Sequence, residues 1–417
     1  MLIVYRILIN FIFILSPIIL VIRLLKKKED INRFKEKFCF FSKRRKNGKV
    51  VWFHGASVGE LQSIVPLIEK LEKKNDIKQI LITSNTLSSS KIMEKIKFKK
   101  VVHQFFPIDT NFFSLKFLNY WKPSFVFFID SEIWPNMIMN LEKKNIPFGI
   151  LNGRITKKTF NKWMTFQKFS KEIFEKFRFC IAASNESKIF LKKLGVKEVK
   201  FFGNLKFSQT ENEKINFDKS LKKFIKSRKT WCASSTHKTE EIFCGIVHKK
   251  LKEKYKNILT IIIPRHIDRV KSIKKELENL NLKIHVHEPK KKITKDTDIY
   301  IVNAYGKTKS FFNNCKNIFL GGSLIEHGGQ NPLEATRYGC NVFHGPNVSN
   351  FKDIYNFLKK NKVSYQIRTQ SHMVNKLKKF LSKKSSSKRI RQKFNLIGQS
   401  ILQKTLNEIN LFFKNEI

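Results

Sequence analysis

No two of the six cysteines lie in a C-x-x-C pair: Cys39, Cys180, Cys232, Cys244, Cys315 and Cys340 stand singly along 417 residues. Neither a disulfide framework nor a thiolate zinc site is indicated, and this usage fits a reducing compartment. The chain has no G-x-x-x-x-G-K-[ST] loop and no G-x-G-x-x-G fingerprint, which argues against ATP hydrolysis and nicotinamide chemistry. It also lacks an RNA-binding signature, a zinc finger and an evident repeat. Acidic residues are scarce, 33 against 83 lysines and arginines, for a formal net charge of +50 at pH 7. Such a surplus attracts polyanions. Because the basic residues spread along the whole chain and no nucleic-acid module accompanies them, anionic lipid is the expected partner and nucleic acid is not. Each lysine facing a negative leaflet contributes about 1 kcal/mol.

What is present begins with residues 1–25, MLIVYRILINFIFILSPIILVIRLL, whose only charged side chains are Arg6 and Arg23. This apolar stretch is just long enough to cross a hydrocarbon core as a helix, with the two arginines reaching opposite surfaces. No small-x-small cleavage site follows, and Lys26, Lys27 and Lys28 come instead, so an uncleaved single-pass anchor is expected rather than a signal peptide, with an amphipathic segment lying in the interface as the alternative. Lys26, Lys27, Lys28, Arg33, Lys35, Lys37, Lys43, Arg44 and Arg45 crowd its downstream side. That asymmetry puts the body of the protein on the cytoplasmic face.

Beyond the anchor, apolar runs alternate with helical stretches: VVWFHG (50–55), QILITS (79–84), VVHQFFPID (101–109), PSFVFFID (123–130), PFGILNG (147–153) and FCIAAS (179–184). A second series follows with TWCASST (230–236), ILTIIIPRH (258–266), LKIHVHE (282–288), DIYIVNAYG (298–306), NIFLGGS (317–323) and NVFHGP (341–346). Alternation of this kind makes parallel sheets covered by helices, and the chain is long enough for two cores. The expected architecture is α/β, with two doubly wound Rossmann-like domains facing a cleft. Their boundaries read as an anchor at 1–25, a first domain at 26–205, a polar linker at 206–224, a second domain at 225–393 and a closing helix at 394–417. Ligands are then expected at the carboxyl ends of the strands.

The unusual residues lie at those ends. HGASVGE (54–60) makes a tight turn that delivers Glu60 into the first turn of a helix, where a carboxylate can act as a general base or simply complement the helix dipole. SEIWPN (131–136) does the same for Glu132, next to Asp130. GNLKF (203–207) places Lys206 at the junction of the two halves, and STHKTEE (235–241) has the form of a helix start capped by Ser235 or Thr236. Pro264 and Arg265 end a long strand, where a guanidinium makes a natural phosphate clamp, and NAYGKT (303–308) offers a flexible Gly306. LGGSLIEHGGQNPLEATRYG (320–339) joins a strand to a helix start at Asn331 and Pro332. The N–H groups of Asn331, Leu333 and Glu334 are expected to be unpaired there and to favour an anion. Asp296-Thr297-Asp298 precedes its strand and is not read as a metal site; no His or Cys cluster suggests another.

In this order and behind an apolar N-terminus, WFHGASVGE, SEIWPN, NGRIT, GNLKF, ASSTHKTEE, PRHIDR and GGSLIEHGGQNPLEA closely resemble the 3-deoxy-D-manno-octulosonic acid (Kdo) transferase family. The resemblance runs from about residue 2 to 400. It implies a membrane-bound, metal-independent, inverting glycosyltransferase of the GT-B type at the cell inner membrane, which needs no cofactor and moves Kdo from CMP-Kdo to the lipid A precursor lipid IVA in lipopolysaccharide synthesis. Carried over by motif, Glu60 matches the base, and Glu132 and Lys206 match residues that stabilise the transition state. Pro264, Arg265, Tyr305, Gly306, Lys307, Asn331, Pro332, Leu333 and Glu334 match the CMP-binding segments. The chain departs from the family pattern at Gln330 and Ala335 around NPLE, at Thr239 where glycine is common, and at Gly153 where alanine is usual.

Overall fold

The computed structural model describes residues 1–417 except 97, 210–216, 289–292, 384–385 and 417. The chain folds as two units, Met1–Gln209 with Ile397–Ile417 and Thr210–Leu396. Of the polar stretch 206–224, Leu205–Ser208 is a 3₁₀ turn and Lys219–Lys226 a helix burying Leu221 and Ile225, while 210–216 lie outside the described residues.

In the first unit β1 (Lys49–His54), β2 (Ile77–Ser84), β3 (Val101–Phe105), β4 (Phe125–Ile129), β5 (Phe148–Gly153) and β6 (Phe179–Ala182) form one parallel sheet in the order β3-β2-β1-β4-β5-β6. β4, with sequence FVFFI, is buried at every position. That is the signature of a central strand covered by helices on both faces, where no side chain meets water. β1 pairs with β4, Trp52 opposite Val126 and His54 opposite Phe128. The order reverses between these two strands, so the loops that follow them flank a switch point where a ligand crevice opens.

The last helix, Ser387–Asn415, belongs to the first unit from Ile397 onward. Phe412 and Phe413 pack on β4, with the Phe413 ring 4.4 Å from that of Phe125 and the Phe412 ring 5.9 Å from that of Phe127. Gly398 lets this helix pass the GNLKF loop, since a Cβ there would lie 2.4 Å from the Phe207 carbonyl.

The second unit contains β7 (Lys229–Thr236), β8 (Ile258–Pro264), β9 (Ile284–Val286), β10 (Ile299–Ile301), β11 (Asn317–Leu320), β12 (Asn341–His344) and β13 (Ser364–Gln366). All are parallel, in the order β13-β12-β11-β7-β8-β10-β9. Its switch point lies between β7 and β11. All six cysteines are free and buried, and burial pushes their thiols up, Cys39 and Cys340 to about 12. Thiols so held act as small apolar packing groups.

The apolar N-terminus is a helix, Leu2–Leu25, long and apolar enough to cross a membrane by length and composition. Its arginines do not reach out to opposite surfaces. Arg6 Nε donates to Asn136 Oδ1 at 3.0 Å, and Arg23 Nε donates to Glu29 Oε1 at 2.6 Å. Between them Phe13 packs edge-on against Phe113 at 5.3 Å. The first unit offers polar acceptors to both ends. The helix therefore lies along the first unit, with Ile3, Ile7, Phe11, Ile14 and Ile18 exposed on its outer side.

Candidate active site

Four side chains gather at the switch point of the first unit. Glu60 sits in the first turn of the Val58–Leu71 helix and closes a capping box with Ser57. Its Oε2 accepts the Ala56 N–H at 2.7 Å, and its Oε1 accepts the Ser57 hydroxyl at 2.6 Å. The carboxylate thus completes the helix start, satisfying N–H groups that the helix leaves unpaired. Burial raises its pKa above the ordinary glutamate value; the Ser57 hydroxyl opposes this, and negative Glu132 and Asp130 nearby add to it. A base held closer to neutral pH is better matched to removing a proton from a hydroxyl.

Asp130, just beyond β4, has φ +62°. Aspartate is among the few residues that tolerate this left-handed backbone. Its carboxylate takes Lys206 Nζ at 3.2 Å. Lys206 is held by the turn it belongs to: its N–H donates to Asn204 Oδ1, and the Leu205 N–H donates to Asn152 Oδ1 at the end of β5, both at 2.9 Å. The NGRIT and GNLKF segments, far apart in the chain, therefore brace one another.

Glu132 Oε2 accepts Trp134 Nε1 at 3.0 Å and faces His54 Nε2 at 3.2 Å. Fully buried His54 was not singled out by the sequence, although it opens HGASVGE at the end of β1. Its tautomer follows from its other neighbours. Trp52 Nε1, which can only donate, gives its proton to Thr83 Oγ1 at 2.8 Å, and the same oxygen is 2.9 Å from His54 Nδ1. We assign the threonine proton to Nδ1, which leaves Nε2 as the N–H that holds Glu132.

In the second unit the loops after β11, β7, β8 and β10 come from adjacent strands, so residues spread from 235 to 334 in sequence adjoin at one sheet edge. The geometry corrects two expectations there. STHKTEE is not capped by Ser235 or Thr236: Thr239 precedes the Glu240–Lys254 helix with φ +78° and no side-chain cap bond. Glu240 is instead turned inward, 1% exposed, and clamps the glycine loop. Its carboxylate accepts the N–H groups of Gly322 (2.7 Å), Ser323 (3.1 Å), Leu324 (3.0 Å) and His237 (3.0 Å). Gly321 is what allows the close approach, since a Cβ there would lie 2.4 Å from the Ser235 carbonyl.

The Leu333 N–H is not unpaired, because Asn331 Oδ1 accepts it at 3.1 Å, and the helix that follows is short, Leu333–Arg337. The orphan donor is satisfied by the neighbouring side chain, as short polar residues commonly do. Pro332 and Leu333 are buried, and Asn331 is exposed.

Pro264 closes β8, and the Arg265 N–H bonds the Thr236 carbonyl at 3.0 Å, leaving an exposed guanidinium beside the β7 loop. His237 lies there with its ring 4.3 Å from that of His327. Burial, with His327, His266 and Arg265 adding to it, lowers His237 to about 4, so the imidazole is neutral at physiological pH. Tyr305 and Lys307 are exposed around Gly306, which has φ +75°. Asp298 lies at the opposite end of β10, where its carboxylate takes Lys252 Nζ at 2.5 Å and the Lys283 N–H at 3.0 Å. Among the described residues no cluster of three or more His, Cys, Asp or Glu is arranged to hold a metal ion.

Two parallel-sheet units with side chains collected at their strand ends define a GT-B-type α/β protein. The same fold occurs in a UDP-GlcNAc 2-epimerase from Neisseria meningitidis, with TM-score 0.58 and 14% identity over 87% of this chain and 99% of that one. It also occurs in a glycosyltransferase from Rickettsia africae, with TM-score 0.56 and 14% identity over 89% and 100%. Residues 32–209 match the sequence profile of the 3-deoxy-D-manno-octulosonic-acid transferase (kdotransferase) family. A 3-deoxy-D-manno-octulosonic acid transferase from Rickettsia bellii is 33% identical over 415 residues, 96% of this chain and 98% of that protein. The chain belongs to the 3-deoxy-D-manno-octulosonic acid transferase family.

Proposed function

We propose that this transferase moves Kdo from CMP-Kdo onto lipid IVA with inversion, as a step of lipopolysaccharide synthesis. The observation that carries this reading is the grouping of Glu60, Glu132 and the Asp130–Lys206 pair at the β1/β4 switch point. Glu60 takes the proton from the attacking hydroxyl; its raised pKa and its position at the mouth of the turn suit that task. Glu132 and Lys206 balance the charge that develops as the sugar–phosphate bond opens. Arg265, Pro264, the Tyr305–Gly306–Lys307 turn and the segment Asn331, Pro332, Leu333 and Glu334 bind the CMP group. These groups supply the base and the charge balance themselves, so the reading assigns no step to a metal or cofactor.

The Leu2–Leu25 helix lies in the inner membrane's cytoplasmic face, its outer apolar side among the lipids. A helix whose two ends both hold the first unit cannot carry its amino end across a bilayer while that unit remains on the near side. The basic surface adds attraction to anionic lipid. Purified protein incubated with CMP-Kdo and lipid IVA should yield a lipid heavier by Kdo, and CMP rather than UDP should raise the melting temperature. Glu60→Gln should abolish product while retaining the CMP-induced shift. An unchanged lipid mass with wild-type protein would overturn the assignment.

A further inference from the structure

The first turn of the N-terminal helix and the Glu132 loop meet at one carboxylate, Asp109, to which the sequence pattern assigns no role. Asp109 is 1% exposed. Its Oδ2 accepts the Tyr5 hydroxyl at 2.7 Å and the Asn136 N–H at 3.0 Å; its Oδ1 accepts the Met137 N–H at 2.9 Å and the Ser114 hydroxyl at 3.1 Å. Asn136 and Met137 open the Pro135–Lys143 helix, directly after the segment that carries Glu132. A second route runs through Phe106, a few residues before Asp109. Its ring stacks on His54 at 3.9 Å and lies 5.0 Å from that of Trp134. Those are the two side chains that hold Glu132 Oε2.

We propose that Tyr5 and Asp109 are positioning residues for the transfer reaction: the seating of the N-terminal helix on Asp109 sets where Glu132 stands. The proposal rests on the role given to Glu132 above. A buried carboxylate turns toward whatever donors remain, so loss of the Tyr5 hydroxyl shifts Asp109 and, with it, the start of the Pro135–Lys143 helix. A displacement of a fraction of an ångström at a group that balances transition-state charge lowers turnover more than substrate affinity. The N-terminal helix is thereby a part of the active site's support as well as a membrane contact.

The test compares full-length wild type, Tyr5→Phe and Phe13→Leu in vesicles containing anionic lipid, with CMP-Kdo and lipid IVA as substrates. Phe13 packs the same helix against Phe113, and its phenyl ring has no donor to offer Asp109. Tyr5→Phe is expected to lower kcat roughly tenfold, the scale on which a sub-ångström misplacement of a group that balances transition-state charge acts, with the KM for lipid and co-sedimentation with vesicles unchanged. Phe13→Leu should retain wild-type kcat. Tyr5→Phe turnover within twofold of wild type, or an equal loss in Phe13→Leu, overturns the coupling. Absence of transfer by wild-type protein would instead sink the functional reading, so the two failures are distinguishable.

Discussion

Replacing Glu240 by Gln should unfold the second unit far more readily than its position in the first turn of a surface helix suggests. Oε2 accepts the N–H groups of Gly322 and His237, and Oε1 those of Ser323 and Leu324. Glutamine retains one oxygen, so whichever way the amide turns, one pair of backbone donors faces an NH₂ group. Each buried donor left unpaired costs about 1–3 kcal/mol, and two of them roughly 2–6 kcal/mol. For a unit of this size that lowers the melting temperature by roughly 5–20 °C. Glu278→Gln, which breaks an exposed pair with Lys274 at 3.7 Å, is the control and should change stability by less than about 0.5 kcal/mol. Thermal unfolding measures the stability, and hydrogen exchange at Gly322, Ser323 and Leu324 reports the clamp itself. A Glu240→Gln protein that melts with wild type and keeps slow exchange at those amides would refute the argument.

Thr239→Gly is expected to stabilise the same unit, because exposed Thr239 has φ +78° and its side chain makes no cap bond. Relief of a left-handed backbone gives ~1–2 kcal/mol, offset by about 0.5–1 kcal/mol of glycine entropy; a lower melting temperature would contradict this. The rate of transfer should rise with pH through the raised pKa of Glu60, because the base must be ionised. Ser57→Ala, which removes a hydrogen bond that holds that pKa down, should move the acidic limb of the kcat profile to higher pH. A limb at the ordinary glutamate value in both proteins would argue against Glu60 as the base. Thr83→Val should lower kcat and free the His54 tautomer, whereas Thr83→Ser preserves both, read by kinetics and by nitrogen chemical shifts of the imidazole. Equal behaviour of the two variants would sever His54 from Glu132.

The strands and the motif residues are legible because they are local properties. A run such as FVFFI can be satisfied only where both faces are covered, and a small-residue turn after it delivers Glu60 or Glu132 into a helix start whatever the rest of the chain does. Thr239 is legible as a departure from a glycine habit, and its positive φ supplies the reason. Other contacts leave no local trace. Glu240 reads as an ordinary first-turn acid until the Gly322 N–H arrives from 82 residues away. The same holds for Asp109, which lies 104 residues from Tyr5.

By itself the amino-acid sequence determined two parallel α/β units, an apolar N-terminal helix and the side chains carried to the strand ends, because hydrophobic period and turn chemistry act over a few residues. Only the tertiary structure decided which strands are neighbours, and hence that Glu60 and Glu132 share one switch point. It also laid the N-terminal helix along the first unit and took the glycine-loop N–H groups for Glu240. Those outcomes depend on buried polar groups finding partners across the fold, and desolvation makes that search specific without leaving any pattern in the sequence nearby.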